Sequence, residues 1–83
     1  MYYLYILQSK KDNTYYIGYT ADLDRRLAEH NAGKNRYTKG HLPYSVIYKE
    51  VFNSIKLVKE REKYIKKYGN IKSFLKSRFP RTP

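Results

Sequence analysis

The chain contains no cysteine and no tryptophan, and only one methionine, three prolines and four glycines in 83 residues. Without cysteine there can be no disulfide, no thiolate metal site and no thiol nucleophile. No apolar run approaches the ~18–20 residues that a membrane span needs. Met1 runs straight into a strand-like segment, with no basic n-region, apolar h-region and small-residue cleavage site. Secretion is therefore not expected, and a cytoplasmic location is. Acidic residues are scarce too: 7 Asp and Glu stand against 18 Lys and Arg, a formal net charge of +11. A chain of this length is expected to form one domain over residues 1–83, burying only roughly 60–65% of the surface its unfolded form exposes. Every large apolar side chain then counts toward one thin core.

What is present is mostly positive charge and tyrosine. From Lys56 onward ten basic residues face two acidic ones, whereas the first part of the chain carries eight against five. Self-repulsion on this scale is relieved by a polyanionic partner, with nucleic acid ahead of an anionic membrane surface or an acidic protein. Tyrosine occurs 11 times. Most of these fit strand propensity and core packing, and the remainder are candidates for stacking or for chemistry at a phenol.

No repeat or low-complexity linker interrupts the chain. Tyr2 to Gln8 predicts a strand, Lys10 to Asn13 a turn, and Thr14 to Tyr19 a second strand paired with the first as an antiparallel hairpin. Thr20 or Asp22 caps a helix running to about Asn31, with Gly33 as its stop. A basic loop, Lys34 to Pro43, leads to a third strand, Tyr44 to Phe52. Ser54 caps a long helix, Ile55 to Tyr68, ended by Gly69 and Asn70. Ile71 to Ser77 is a short final helix, and residues 79–83 form a basic tail. The order β-β-α-β-α-α predicts an α/β (α+β) domain with a three-stranded, mostly antiparallel sheet flanked by helices.

Several polar residues fall where apolar ones are expected. With Val58 at zero on the long helix, Ile65 lies at about −20°, Ile55 at about +60° and Glu62 at about +40°, while Glu60 points away at about 200°. Glu62 thus stands in the apolar stripe, where a carboxylate is costly unless paired or metal-bound. The plain alternative is an edge position paired with a neighbouring Lys or Arg. On the first helix, with Leu23 at zero, Arg26 lies near −60° and His30 near −20°, both bordering the apolar face. Their plain readings are a surface cation along the core edge and a satisfied, half-buried imidazole. In the hairpin, Tyr3, Tyr5 and Leu7 share one face, as do Tyr16, Gly18 and Thr20. Gly18 weakens its strand, which points either to close approach by a backbone or ligand or to a β-bulge.

Tyr3-Leu4-Tyr5 followed by Tyr16-Ile17-Gly18 resembles the paired signature of the GIY-YIG nuclease family. The segment Tyr19-Thr20-x-Asp22-Leu23-x-x-Arg26-Leu27-x-x-His30-Asn31 and the later Glu62-x-x-Ile65-Lys66 strengthen the likeness, which spans Tyr2 to about Tyr68 and is greatest to the small stand-alone members. The resemblance implies the same sheet-and-helix architecture and a divalent-metal-dependent endonuclease, a phosphodiester hydrolase acting on DNA. Tyr5 resembles the tyrosine that orients the site. Tyr16 resembles the general base toward the attacking water, and Arg26 the cation that stabilises the transition state. His30 stands where some members place a histidine that assists proton transfer or orientation. Glu62 resembles the sole protein ligand of Mg²⁺, with Mn²⁺ as an alternative.

Tyr3 replaces the first glycine of the family signature, and Tyr19 stands where excision-repair members carry lysine. Asn70 is the nearest counterpart of a helix-end asparagine found in some members, at a short spacing from Glu62. In the basic loop, Tyr37 and His41 are candidate substrate contacts, and Arg36 and Lys39 candidate phosphate contacts. Gly18 joins them as a candidate point of nucleic-acid approach. A nucleic-acid-binding module with the same fold and negligible turnover is the competing reading, and a basic protein that docks on a partner is a third. RNA as substrate, a protein partner supplying specificity, and a monomeric state complete the expectations.

Overall fold

The structure is a computed structural model, and it describes residues 1–68 and 71–78. Strand β1 spans Tyr2–Ser9, β2 Tyr15–Thr20 and β3 Tyr44–Phe52. Helix α1 spans Leu23–Asn31, α2 Ile55–Lys67 and α3 Ile71–Arg78, and a single 3₁₀ turn covers Lys39–His41. The order is β-β-α-β-α-α, as expected. Asn70 and the tail at 79–83 lie outside the described residues.

The sheet order is β2-β1-β3, and both pairings are antiparallel. The first strand is therefore the central one. This explains why Leu4, Tyr5, Ile6 and Leu7 are all buried in succession: both faces of β1 are covered. One face, with Leu4, Ile6 and Ile17, packs against Val58 and Ile65 of α2 and Phe74 of α3. The other, with Tyr5, Leu7 and Tyr44, packs against Leu23 and Leu27 of α1. The two helical layers lie on opposite sides of the sheet.

Local chemistry sets the ends. Asp22 caps α1 by accepting from the Arg25 N–H at 3.1 Å, while Thr20 Oγ1 accepts from the Asp22 N–H instead of capping. Thr14 belongs to the turn rather than to β2, because its N–H and hydroxyl both donate to Asp12. Asn13 takes a positive φ there, as asparagine tolerates. At the end of α1, Gly33 has φ 78°, its N–H donates to the His30 carbonyl, and the Lys34 N–H donates to the Glu29 carbonyl. This is a Schellman turn, and it sends the chain sharply back over the helix. The side-chain amide of Asn31 then brackets both backbone groups of Tyr44, fixing where β3 begins.

Gly18 is not at a bulge. The β1–β2 register is unbroken, and Gly18 stands opposite Tyr5. The irregularity lies instead between β1 and β3, where Ile6 faces Tyr48 and Leu7 faces Val46, leaving Ile47 without an opposing residue.

Helix α2 is tied to the sheet by charge as well as by packing. Arg61 donates to both carboxylate oxygens of Glu50 at 2.8 and 2.9 Å, and the Tyr48 hydroxyl also bonds Glu50. The same guanidinium lies over the rings of Tyr64 and Phe74. Side-chain exposures of 25% and 16% make this pair far drier than a surface ion pair. Replacing Glu50 with Ala leaves a largely desolvated guanidinium without its acceptor, so Glu50→Ala is expected to cost about 2 kcal/mol in urea denaturation. Glu60→Ala, on the exposed side, should stay within about 0.5 kcal/mol.

Candidate active site

The site grows from the face of the sheet under α1. Because Tyr5 pairs with Gly18 and Leu7 with Tyr16, the side chains of Tyr5 and Tyr16 share that face, separated by a position with no side chain. A Cβ on Gly18 would sit 2.6 Å from the Tyr5 hydroxyl oxygen and 3.3 Å from Tyr16 Cε2. The glycine therefore makes room for the chain's own phenol. Gly18 was a candidate for nucleic-acid approach; it is buried, and the space above it is filled by Tyr5.

The Tyr5 hydroxyl laid across β2 meets His30 of α1, with Oη 3.2 Å from Nε2. His30 Nδ1 is in turn 2.9 Å from Thr38 Oγ1. His30 and Thr38 are both fully buried, so the imidazole is deeper than the half-buried position its helical angle suggested. The difference comes from the Schellman turn, which folds the loop back and lowers Thr38 onto the exposed side of the ring. Either imidazole tautomer closes the chain, because both hydroxyls can donate or accept. Tyr16 completes the cluster edge-on to His30, with ring centroids 5.0 Å apart, and lies 6.4 Å from the Tyr5 ring centre.

The two phenols differ in state. Burial pushes the Tyr5 pKa well above the ordinary phenol value, with a further rise from Tyr16, an opposing effect from Arg26, and smaller rises from Glu62 and Glu29. Tyr5 is thus held protonated, with its hydroxyl committed to His30. Tyr16 is half-buried, and its hydroxyl has no hydrogen-bond partner among the described residues.

Two charged candidates come in from opposite sides of the sheet. Arg26 on α1 is partly exposed, sits 3.8 Å from Glu29, and acts on both Tyr5 and His30. It lines two depressions: one of about 70 Å³ with His30, Lys34 and Asn35, and one of about 310 Å³ with Thr20, Asp22 and Arg25. Glu62 on α2 has a side chain 20% exposed, with Lys66 Nζ 3.7 Å from one oxygen, so the plain reading of an edge carboxylate paired with lysine describes its resting contact. Its charge contributes to raising the Tyr5 pKa. Tyr5, Tyr16 and His30 are in contact and Arg26 lines a depression beside His30, whereas Glu62 belongs to the helix on the opposite face of the sheet. A larger apolar hollow of about 640 Å³, between Leu23 and Leu27 of α1 and Val46 and Ile47 of β3, contains none of them.

Among the described residues no three His, Asp or Glu side chains converge as a protein metal cage. One half-buried carboxylate, partly open to solvent, does not suit Zn²⁺. It suits Mg²⁺, which keeps several waters and takes its remaining oxygens from phosphates.

The loop candidates divide. Arg36, Tyr37 and Lys39 are exposed, Tyr37 at 80%. His41 is engaged elsewhere. Its Nδ1 lies 2.5 Å from Asp12 Oδ2, and its carbonyl accepts from Ser9 Oγ, which clamps the loop to the hairpin turn. The hydrogen bonds from His41 and Thr14 hold the Asp12 carboxyl below the usual carboxylate range. Thr38 is the one member of the buried cluster that sequence reasoning missed. It carries no periodic or motif signal, and only the spacing of loop and helix in space reveals it.

Comparison with known proteins gives the family. Residues 1–73 match the GIY-YIG catalytic domain. A UPF0213 protein of Streptococcus pyogenes strain Manfredo is 48% identical over 66 residues, 78% of this chain and 71% of that one, and a UPF0213 protein of strain SSI-1 is equally similar. The solution structure of a UPF0213 protein from Bacillus halodurans superposes with a TM-score of 0.57 at 33% identity, covering 100% of this chain and 89% of that one.

Two measurements test the cluster. Gly18→Ala forces a methyl into the Tyr5 hydroxyl and should cost about 1–3 kcal/mol, a penalty that Tyr5→Leu in the same chain largely removes. Burial, and then Arg26, lowers the His30 pKa below its ordinary value of 6.5. The folded state therefore favours the neutral ring, and its contribution is full above 6.5 and declines as pH falls toward the folded pKa. NMR titration should show a neutral His30 ring with its midpoint below 6.5, and His30→Gln should flatten stability against pH in that window.

Proposed function

The chain belongs to the GIY-YIG family, and on that premise we propose that it is an endonuclease that hydrolyses phosphodiester bonds of DNA with a divalent cation, Mg²⁺ or Mn²⁺. The observation that carries this reading is the division between the two phenols: Tyr5 is locked protonated onto His30, while the Tyr16 hydroxyl beside it is uncommitted. Tyr16 is only half-buried, so its hydroxyl is open to water and substrate. An open phenol in a cluster flanked by a guanidinium and a carboxylate is poised for chemistry.

In this mechanism Arg26 binds the scissile phosphate, its planar fork matching two oxygens and its charge offsetting the negative charge that grows in the transition state. Leaving Glu29 for the phosphate costs Arg26 little, because the pair is long and exposed. Tyr16 orients the attacking water and takes its proton. His30, with both ring nitrogens engaged in the interior, positions Tyr5 and through it the wall of the site, and does not itself carry the proton. Glu62 would hold the divalent cation, which supplies charge neutralisation to a phosphate oxygen. The Gly18 gap and the Tyr5 hydroxyl keep the Tyr16 ring at a fixed height above β2.

A second reading, a nucleic-acid-binding module without turnover, is favoured by one observation: the two charged groups of the site rest on neighbours in their own helices, Arg26 on Glu29 and Glu62 on Lys66. Plasmid nicking separates the two. With Mg²⁺ the chain should nick supercoiled DNA, and EDTA should abolish it. Tyr16→Phe and Glu62→Gln should each lower the rate by ~100-fold or more while leaving DNA affinity within about threefold. Glu60→Gln should match the parent. Full-rate nicking by Tyr16→Phe would remove that phenol from the mechanism, and binding without any metal-dependent nicking would establish the module.

A further inference from the structure

The exposed side of α2 carries a ladder of lysines with one carboxylate, Glu60, at its edge at about 200°. Taking Val58 as zero, Lys59 lies at about +100°, Lys63 at about +140°, Lys56 at about +160° and Lys67 at about +180°, with Glu62 on the flank at about +40°. All four lysines are exposed, and none has a carboxylate within 4 Å among the described residues. Beyond Glu62 the sequence contains no acidic residue at all. Lys59 and Lys63, and Lys63 and Lys67, are like charges four residues apart, which destabilises an isolated helix, and Glu60 offsets this only in part, at i,i+4 from Lys56 and i,i+3 before Lys63. The face keeps a net positive charge, which a polyanion would relieve.

We infer that this ladder is the docking surface for the phosphate backbone of a double-stranded nucleic acid, laid along α2 so that one strand passes Glu62. This deepens the proposed function and takes the identity of the partner from it. Successive lysines rise ~4.5–6 Å along the axis, comparable to the step between neighbouring phosphates of one strand. The lysines fall within one sector of about 80°, and no aromatic side chain interrupts it. Surfaces for single strands interleave bases with aromatic platforms. The aromatic residues of α2, Tyr64 and Tyr68, instead lie beyond the ladder, ring to ring with each other, and Tyr64 lies under Arg61. Phosphate contacts of this kind position a duplex without reading its sequence.

The test is binding of a 20-base-pair DNA duplex to the full chain carrying Tyr16→Phe, in EDTA, across a salt series. Lys56→Gln, Lys59→Gln, Lys63→Gln and Lys67→Gln together keep helix propensity and remove the row. The slope of log affinity against log salt should become shallower by about 3–4, because each phosphate contact contributes about 0.9. Affinity at low salt should fall by at least tenfold. Lys10→Gln with Lys49→Gln, removing exposed lysines outside α2, should change neither. An unchanged slope in the ladder variant overturns the proposal. So does a variant that keeps duplex binding and loses binding to phosphatidylserine vesicles, or one that loses only single-stranded DNA. The outcome is independent of the nuclease reading: nicking by Tyr16→Phe tests the site, the salt slope of the lysine variant tests the ladder, and unaltered nicking in Tyr16→Phe removes the site assignment and leaves the ladder standing.

Discussion

A phenol on a strand covered on both faces must be given room and a partner at once, and the rest of this structure answers to that demand. Tyr5 sits on the central strand, where burial forbids an unsatisfied hydroxyl. Room comes from the missing side chain at Gly18, directly opposite in the register. The partner comes from His30, which must itself be satisfied in the interior and draws in Thr38. One buried hydroxyl thereby fixes the relative placement of two strands, a helix and the loop behind it. Displacing any member leaves a polar group stranded, which is why the cluster behaves as a unit rather than as separate contacts.

The same arrangement sorts tyrosines of identical chemistry into different states. Tyr5 and Tyr16 lie on one face, two register positions apart, yet only one is tied into the interior. The distinction is positional: the central strand buries Tyr5, and the edge strand leaves Tyr16 half open. Arg26 and Glu62 belong to helices that pack on opposite faces of the sheet, and they act on the Tyr5 hydroxyl in opposite senses, Arg26 lowering its pKa and Glu62 raising it.

Much of this was legible in the chain itself. Periodicity and capping residues located all six strands and helices to within a residue or two, since Asp22, Gly33 and Ser54 each carry their own local reason to start or stop a helix. Helical angles singled out Arg26, His30 and Glu62. What angles cannot supply is depth. His30 appeared as a border residue because a wheel records direction, whereas the loop that covers it arrives from eight positions away. The meaning of Gly18 needed a register, and the engagement of His41 with Asp12 needed the hairpin turn and the loop to meet. The sheet order, with the first strand in the middle, likewise depends on where β3 docks, a long-range choice with no local marker.

The connection between α1 and β3 is held at three points. Asn35 turns the backbone by accepting from the Tyr37 and Thr38 N–H groups, Thr38 plugs the floor of the cluster, and the His41 carbonyl is sewn to Ser9. The side chains of Arg36 and Tyr37 project from the span that remains. Such side chains can be exchanged without disturbing the buried cluster beneath, much as an interchangeable bit rides in a fixed chuck.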